Sequence, residues 1–236
     1  MNLVGIEGFG PRIAFYIGDI PVSETVTVTW FIMFLLLVFS IVATRNMKKE
    51  ATGLQLVVEQ LVKTIVNLTK QNMGEKNVAW APYVGTLLLF IGISNIMGLF
   101  GFRPPTGDLN TTMCLSILTF VLTQLFGVKS KGLGGYGKGF LEPIPLLLPL
   151  NIIGELANPV SLGFRLFGNI VAGIIIMALL YGALGNFTSL LLGLSVPLLQ
   201  AGVPAVLHIY FDVFAGLLQS FIFTMLTMVF ISGAME

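Results

Sequence analysis

Apolar positions dominate this 236-residue chain, and polar ones punctuate it at intervals that read as helix ends. The first uninterrupted apolar run, 26–44, is followed by Arg45, Lys48 and Lys49. It is long enough to stay in a bilayer, so it predicts a retained span rather than a cleaved leader. Residues 1–25 hold Arg12 against Glu7, Asp19 and Glu24, with Gly and Pro interruptions, and predict an external segment before that span. In 54–74, Leu54, Val58, Leu61, Ile65 and Leu68 recur at steps of four and three, while Gln55, Glu59, Gln60, Lys63 and Lys70 lie off that stripe. Such a pattern predicts an amphipathic helix, either lying on the membrane surface or packed against another subunit.

Runs at 82–101 and 111–128 predict a hairpin of spans joined by an outer loop at 102–110, and "KSKGLGGYGKGF" (129–140) reads as a flexible basic loop. Two longer segments remain, 142–184 and 188–233. Fully helical, each would measure roughly 65 Å, about twice the hydrocarbon core. Each is therefore strongly tilted, kinked, or folded into two crossings. Pro143, Pro145, Pro149 and Pro159 are candidate bends in the first, and Pro197 and Pro204 in the second. The expected architecture is an all-α polytopic membrane protein with about five transmembrane helices and one surface helix.

Composition agrees: 56% of residues are hydrophobic and only 10% charged, whereas a soluble domain carries about a quarter charged residues. Of twelve Lys and Arg, six fall within 45–76 and three within 129–138. The positive-inside rule puts both regions in the cytoplasm, with the amino terminus outside and the carboxyl terminus cytoplasmic. The single cysteine, Cys114, excludes an intrachain disulfide and reads as a small packing residue. No phosphate-cradling glycine loop, metal-ligand cluster or nucleophile elbow occurs, so no cofactor, metal or covalent chemistry is expected of the chain alone.

The informative residues are the polar ones inside apolar segments. Arg165 lies about twenty residues from either end of its segment. A buried arginine costs roughly 2.5–3.5 kcal/mol on insertion scales, and it stays protonated. Asn169 is four residues on, hence on the same helical face. His208, Asp212 and Gln219 stand at steps of four and seven, which predicts one shared face of the final segment. Glu155 lies three turns before Arg165, lining a watery entrance or sitting at the interface. One cation facing few acids suggests an ion pathway whose main partner belongs to another polypeptide.

"NPVSLGFRLFGNIVAG" (158–173), "PTGDLNTT" (105–112) and "LLQSFIFTMLTMVF" (217–230) together resemble the subunit a family of bacterial F-type ATP synthases. The resemblance implies a membrane stator facing a rotating c-ring, assembled with peripheral-stalk b subunits and the other synthase subunits in the bacterial plasma membrane. It implies two long tilted helices with one crossing each, and two offset aqueous half-channels separated by Arg165. It makes Asn169 the arginine's companion, Gln219 a nearby glutamine and Asn95 an asparagine of an earlier helix. Many relatives carry an acid at the position occupied here by Ile174. Asp212 is then expected to supply the outer half-channel's ionisable group. The resemblance assigns no role to His208. A rival reading is a secondary transporter of an anionic solute, though such folds often show inverted repeats and none is evident. Nothing points to nucleic acid.

Overall fold

The computed structural model describes residues 12–45, 47, 53–141, 144–192, 204 and 206–236. Its first element is a small hairpin. Strand β1 (Ile13–Ile17) pairs antiparallel with β2 (Ile20–Ser23), and the turn between them uses Gly18 at φ 63°. The purely helical expectation missed it. The signal was available: Ile13, Phe15 and Ile17 alternate before a Gly-Asp turn.

Helix α1 (Glu24–Thr44) is apolar on every side and buries only Thr25, Val28 and Ile32. Helix α2 (Leu54–Met73) is amphipathic, but its predicted stripe divides. Ile65, Thr69 and Met73 pack toward α3 (Ala81–Ile96) and the last helix, whereas Leu54, Leu56, Val57, Leu61 and Val62 stay exposed. Its C-terminal half is therefore held by the chain itself. Helix α3 begins with Pro82 in its first turn, where the missing N–H costs nothing. Short 3-10 turns lead on to α4 (Leu109–Gly139), whose N-cap Asp108 accepts from the Asn110 N–H at 3.0 Å. The other oxygen of Asp108 accepts from Thr25 Oγ1 at 3.0 Å, tying α1 to the same corner.

Two expectations are corrected here. The basic glycine-rich stretch 129–140 is not a flexible loop: α4 runs into it, breaks at Gly132 (φ 74°), and resumes to Gly139. Glycine weakens a helix by about 1 kcal/mol but does not forbid one. Cys114 is exposed rather than packed. The buried stripe of α4 is instead hydroxyl-bearing and small: Thr112, Ser116, Thr119, Thr123 and Gly127.

Helix α5 (Leu148–Leu192) is one element of 45 residues, with Pro159 inside it. At 1.5 Å per residue it is about 67 Å long, so the first long segment forms one helix rather than a doubled-back pair. Pro197 and residues 193–203 lie outside the described residues. The chain is next described at 204 and from 206 on. A π-helical turn, Ile209–Ala215, precedes α6 (Gly216–Met235).

Among the described residues five helices are long and apolar enough to cross a membrane. Their outer faces are apolar and their contacts are small or hydroxyl-bearing. Thr119 and Thr227 meet at 3.2 Å between α4 and α6. Gly163 of α5 lies so close to α4 that a Cβ there would stand 2.8 Å from Ser116 Oγ. Lipid is as apolar as leucine, so close backbone approach and hydrogen bonds replace the hydrophobic drive between helices. One apolar cluster, Leu87, Ile91, Leu162, Leu166 and Phe223, fixes α3, α5 and α6 around the centre.

Candidate functional site

Helix α5 positions Arg165 by an alternation of its faces. Leu162, Gly163 and Leu166 are buried against α3, α4 and α6, while Ser161, Phe164, Arg165 and Gly168 are exposed. Arg165 is therefore on the face of α5 that the described residues leave exposed. Among the described residues it has no hydrogen bond and no ion pair.

Two cavities flank it along α5. The first, of about 680 Å³, is lined by Ser116, Thr119, Thr123, Lys131, Tyr136, Asn151, Glu155, Asn158 and Leu162, among others. Within it, Gln124 Nε2 donates to Glu155 Oε1 at 2.8 Å, and Tyr136 Oη donates to Gln124 Oε1 at 2.5 Å. Tyr136 comes from the helical turn after Gly132 and lies so close to Gly127 that a Cβ there would stand 2.7 Å from its ring. The second cavity, of about 480 Å³, is lined by Arg12, Glu24, Asn95, Arg103, Phe167, Asn169, Ile174, His208 and Asp212, among others. Arg165 thus falls between Leu162, which lines one cavity, and Phe167, which lines the other. That interval is roughly 7.5 Å of helix.

The ionisable pair of the second cavity is close: His208 Nδ1 and Asp212 Oδ2 are 2.7 Å apart, both partly exposed. Asp212 also lies against α3's end, where a Cβ on Gly98 would stand 3.5 Å from its Cγ. Ile174 lines the same cavity, so Asp212 and the expected acid position share one space.

The sequence-expected face of His208, Asp212 and Gln219 is only partly realised. The π-turn inserts one extra residue between Asp212 and Gln219. That offsets the α-helical face by about 100°. Gln219 instead joins the buried stripe of α6 with Gly216, Ser220 and Phe223, at 6% exposure, and its Nε2 has no partner among the described residues. Asn95, only 1% exposed, accepts from Thr106 Oγ1 at 2.6 Å and donates to the Gly216 carbonyl at 2.7 Å. Asn169 donates to the Ala215 carbonyl at 3.3 Å. The structure therefore assembles Asn95, Asn169, His208 and Asp212 around one cavity and puts Glu155 in the other. Lys131, Tyr136, Gln124, Arg12, Glu24 and Arg103 were missed as lining or bonding residues. Glu24, Arg103, Lys131 and Tyr136 sit near helix ends or breaks and Arg12 precedes the hairpin, where a polar residue carries no special signal, and Gln124 is a lone amide within α4.

A family model described as "ATP synthase A chain" matches residues 26–232. The chain belongs to this family. It is 34% identical to "ATP synthase subunit a, sodium ion specific" of Propionigenium modestum, over 99% of this chain and 90% of that protein. It is 36% identical to "ATP synthase subunit a" of Moorella thermoacetica, covering 93% of this chain and 94% of the relative. A Bacillus pumilus "ATP synthase subunit a" is 39% identical over 84% and 86% of the two chains. The match covers nearly all of α1, the whole of α2 to α5 and nearly all of α6, with Arg165 inside it. Most of the lining of both cavities falls within it; Arg12 and Glu24 of the second and Gly233 and Ala234 of the first lie outside.

Proposed function

We propose that the chain is the ion-translocating stator subunit of a rotary F-type ATP synthase, with no nucleotide chemistry of its own. Its partners are the c-ring, the peripheral-stalk b subunits and the remaining synthase subunits, in a bacterial plasma membrane. The amino terminus faces out, following the charge bias of 45–76 and 129–138. On that orientation the Asp212 cavity is the outer half-channel and the Glu155 cavity the inner one. The single observation that carries this reading is an exposed Arg165, without a partner among the described residues, between two polar cavities.

Electrostatics supply the mechanism. A rotor carboxylate facing lipid is favoured with its ion bound, because hydrocarbon disfavours a bare charge. Beside Arg165 the ionised form is favoured instead. Unit charges 4 Å apart at an effective dielectric near 20 attract by about 4 kcal/mol, enough to reverse loading. The fixed cation also bars direct passage between half-channels, so the ion must travel on the ring. Each charge crossing gains roughly 2.3 kcal/mol per 100 mV. Arg165→Ala is expected to abolish ion-driven ATP synthesis in vesicles while the complex still assembles; undiminished synthesis overturns the reading. Arg165→Lys is expected to fail too, since lysine lacks the planar fork and can lose its proton when desolvated. ATP-driven pumping with and without sodium and a protonophore then identifies the coupling ion.

A further inference from the structure

The π-turn is an unusual backbone choice at the point where the second cavity meets the helix core. Two carboxamides meet its far end from different helices. Asn95 of α3 donates to the Gly216 carbonyl at 2.7 Å, and Asn169 of α5 donates to the Ala215 carbonyl at 3.3 Å. A carbonyl has two lone pairs, so both bonds are compatible with the helical ladder. Asn95 is itself fixed, since Thr106 Oγ1 donates to its Oδ1 at 2.6 Å. Only glycine at 216 allows this approach: a Cβ there would stand 2.9 Å from Asn95 Cβ. On the near side of the same turn, Asp212 lies over Gly98, and His208 bonds it at 2.7 Å.

The geometry points to Asn95 and Asn169 as positioning residues: together they hold the carbonyls of Ala215 and Gly216, where the π-turn gives way to α6, and so fix how His208 and Asp212 are presented to the cavity. They act through Asp212 rather than on the ion. A π-turn is a rare departure from the α-helical ladder and occurs frequently at functional sites. Relaxing it by one residue would swing Asp212 about 100° relative to α6. This inference rests on the reading of the Asp212 cavity as an ion path, and extends it to a backbone device.

The test uses the complete synthase in membrane vesicles, with Cys114→Ser to remove the native thiol. Gly98→Cys and Asp212→Cys are placed to bridge, given the 3.5 Å approach of a Cβ at 98 to Asp212 Cγ. Mild oxidation should then cross-link the 3-10 turn after α3 to the π-turn. Adding Asn95→Leu and Asn169→Leu, which keep volume and remove the donors, should lower the yield roughly fivefold, the population change expected for a lost hydrogen bond. Asn169→Gln, which retains a donor, should keep it. Where Asn95→Leu prevents assembly, Asn169→Leu alone carries the measurement. An unchanged yield with the leucine variants overturns the inference. So does a full cross-link yield in the cysteine pair combined with lost ion transport when the same leucine substitutions are placed in a synthase that keeps Gly98 and Asp212, because the asparagines would then act on the ion directly. If instead Arg165→Ala and Asp212→Asn both leave ATP-driven pumping intact, the ion-path reading fails whatever the cross-link shows.

Discussion

At the scale of single residues, charge and shape are set by what surrounds them. Arg165 was legible from the sequence because a lone cation in an apolar run has no ordinary explanation. It is exposed on α5. Asp212 and His208 were legible as an i, i+4 pair, which the π-turn preserves at 2.7 Å. Asp212→Asn is expected to slow ion transport severely, measured as acidification or sodium uptake driven by ATP; unchanged rates would make Asp212 a structural residue. Gly216 was not legible, since glycine is common in membrane helices generally. The structure gives it a reason, the 2.9 Å approach of Asn95. Gly216→Ala is expected to destabilise this corner by about 1–3 kcal/mol, the usual cost of overpacking. Earlier thermal dissociation of the subunit from the solubilised complex checks it.

Whole elements follow a different logic. Hydropathy placed the five spans because each must bury its surface or turn it to lipid, and that demand is written along nearly the whole length of α1 and of α3 to α6. What hydropathy does not record is hydrogen-bond register. The π-turn at Ile209–Ala215 leaves apolar content unchanged and shows itself only as a rotated face, which is why Gln219 was expected beside Asp212. The stretch after Lys129 was misread for a related reason. Its five glycines look flexible, yet one of them, Gly132, takes the left-handed turn and the others tolerate helix. Only Gly132, at φ 74°, requires its residue type on conformational grounds. Gly132→Ala is expected to strain that turn by about 1 kcal/mol and to loosen Tyr136 from Gln124. Enhanced protease cleavage between 130 and 140 in vesicles reports it, and unchanged cleavage counts against the Tyr136 contact as an anchor.

For the molecule as a whole, the decisive property is that its two cavities share no lining residue among the described residues. Both touch α5, and Arg165 falls on that helix between Leu162, which lines the first, and Phe167, which lines the second. Single cysteines in a Cys114→Ser background report this directly. Asn158→Cys should react with a membrane-impermeant thiol reagent only from the side bearing Lys131. Val171→Cys should react only from the opposite side. Labelling of both from one side would mean a single continuous pore.

The exposure of Arg165 bears also on how the machine is built. Until a rotor occupies that flank, a solitary copy would present a naked guanidinium to oil, at a penalty that no residue among those described relieves. Newly inserted subunits are therefore expected to be short-lived when the ring is missing, cleared by membrane proteases. Pulse-chase turnover in cells lacking the rotor gene would reveal that dependence, and neutralising the arginine should prolong the orphan's life.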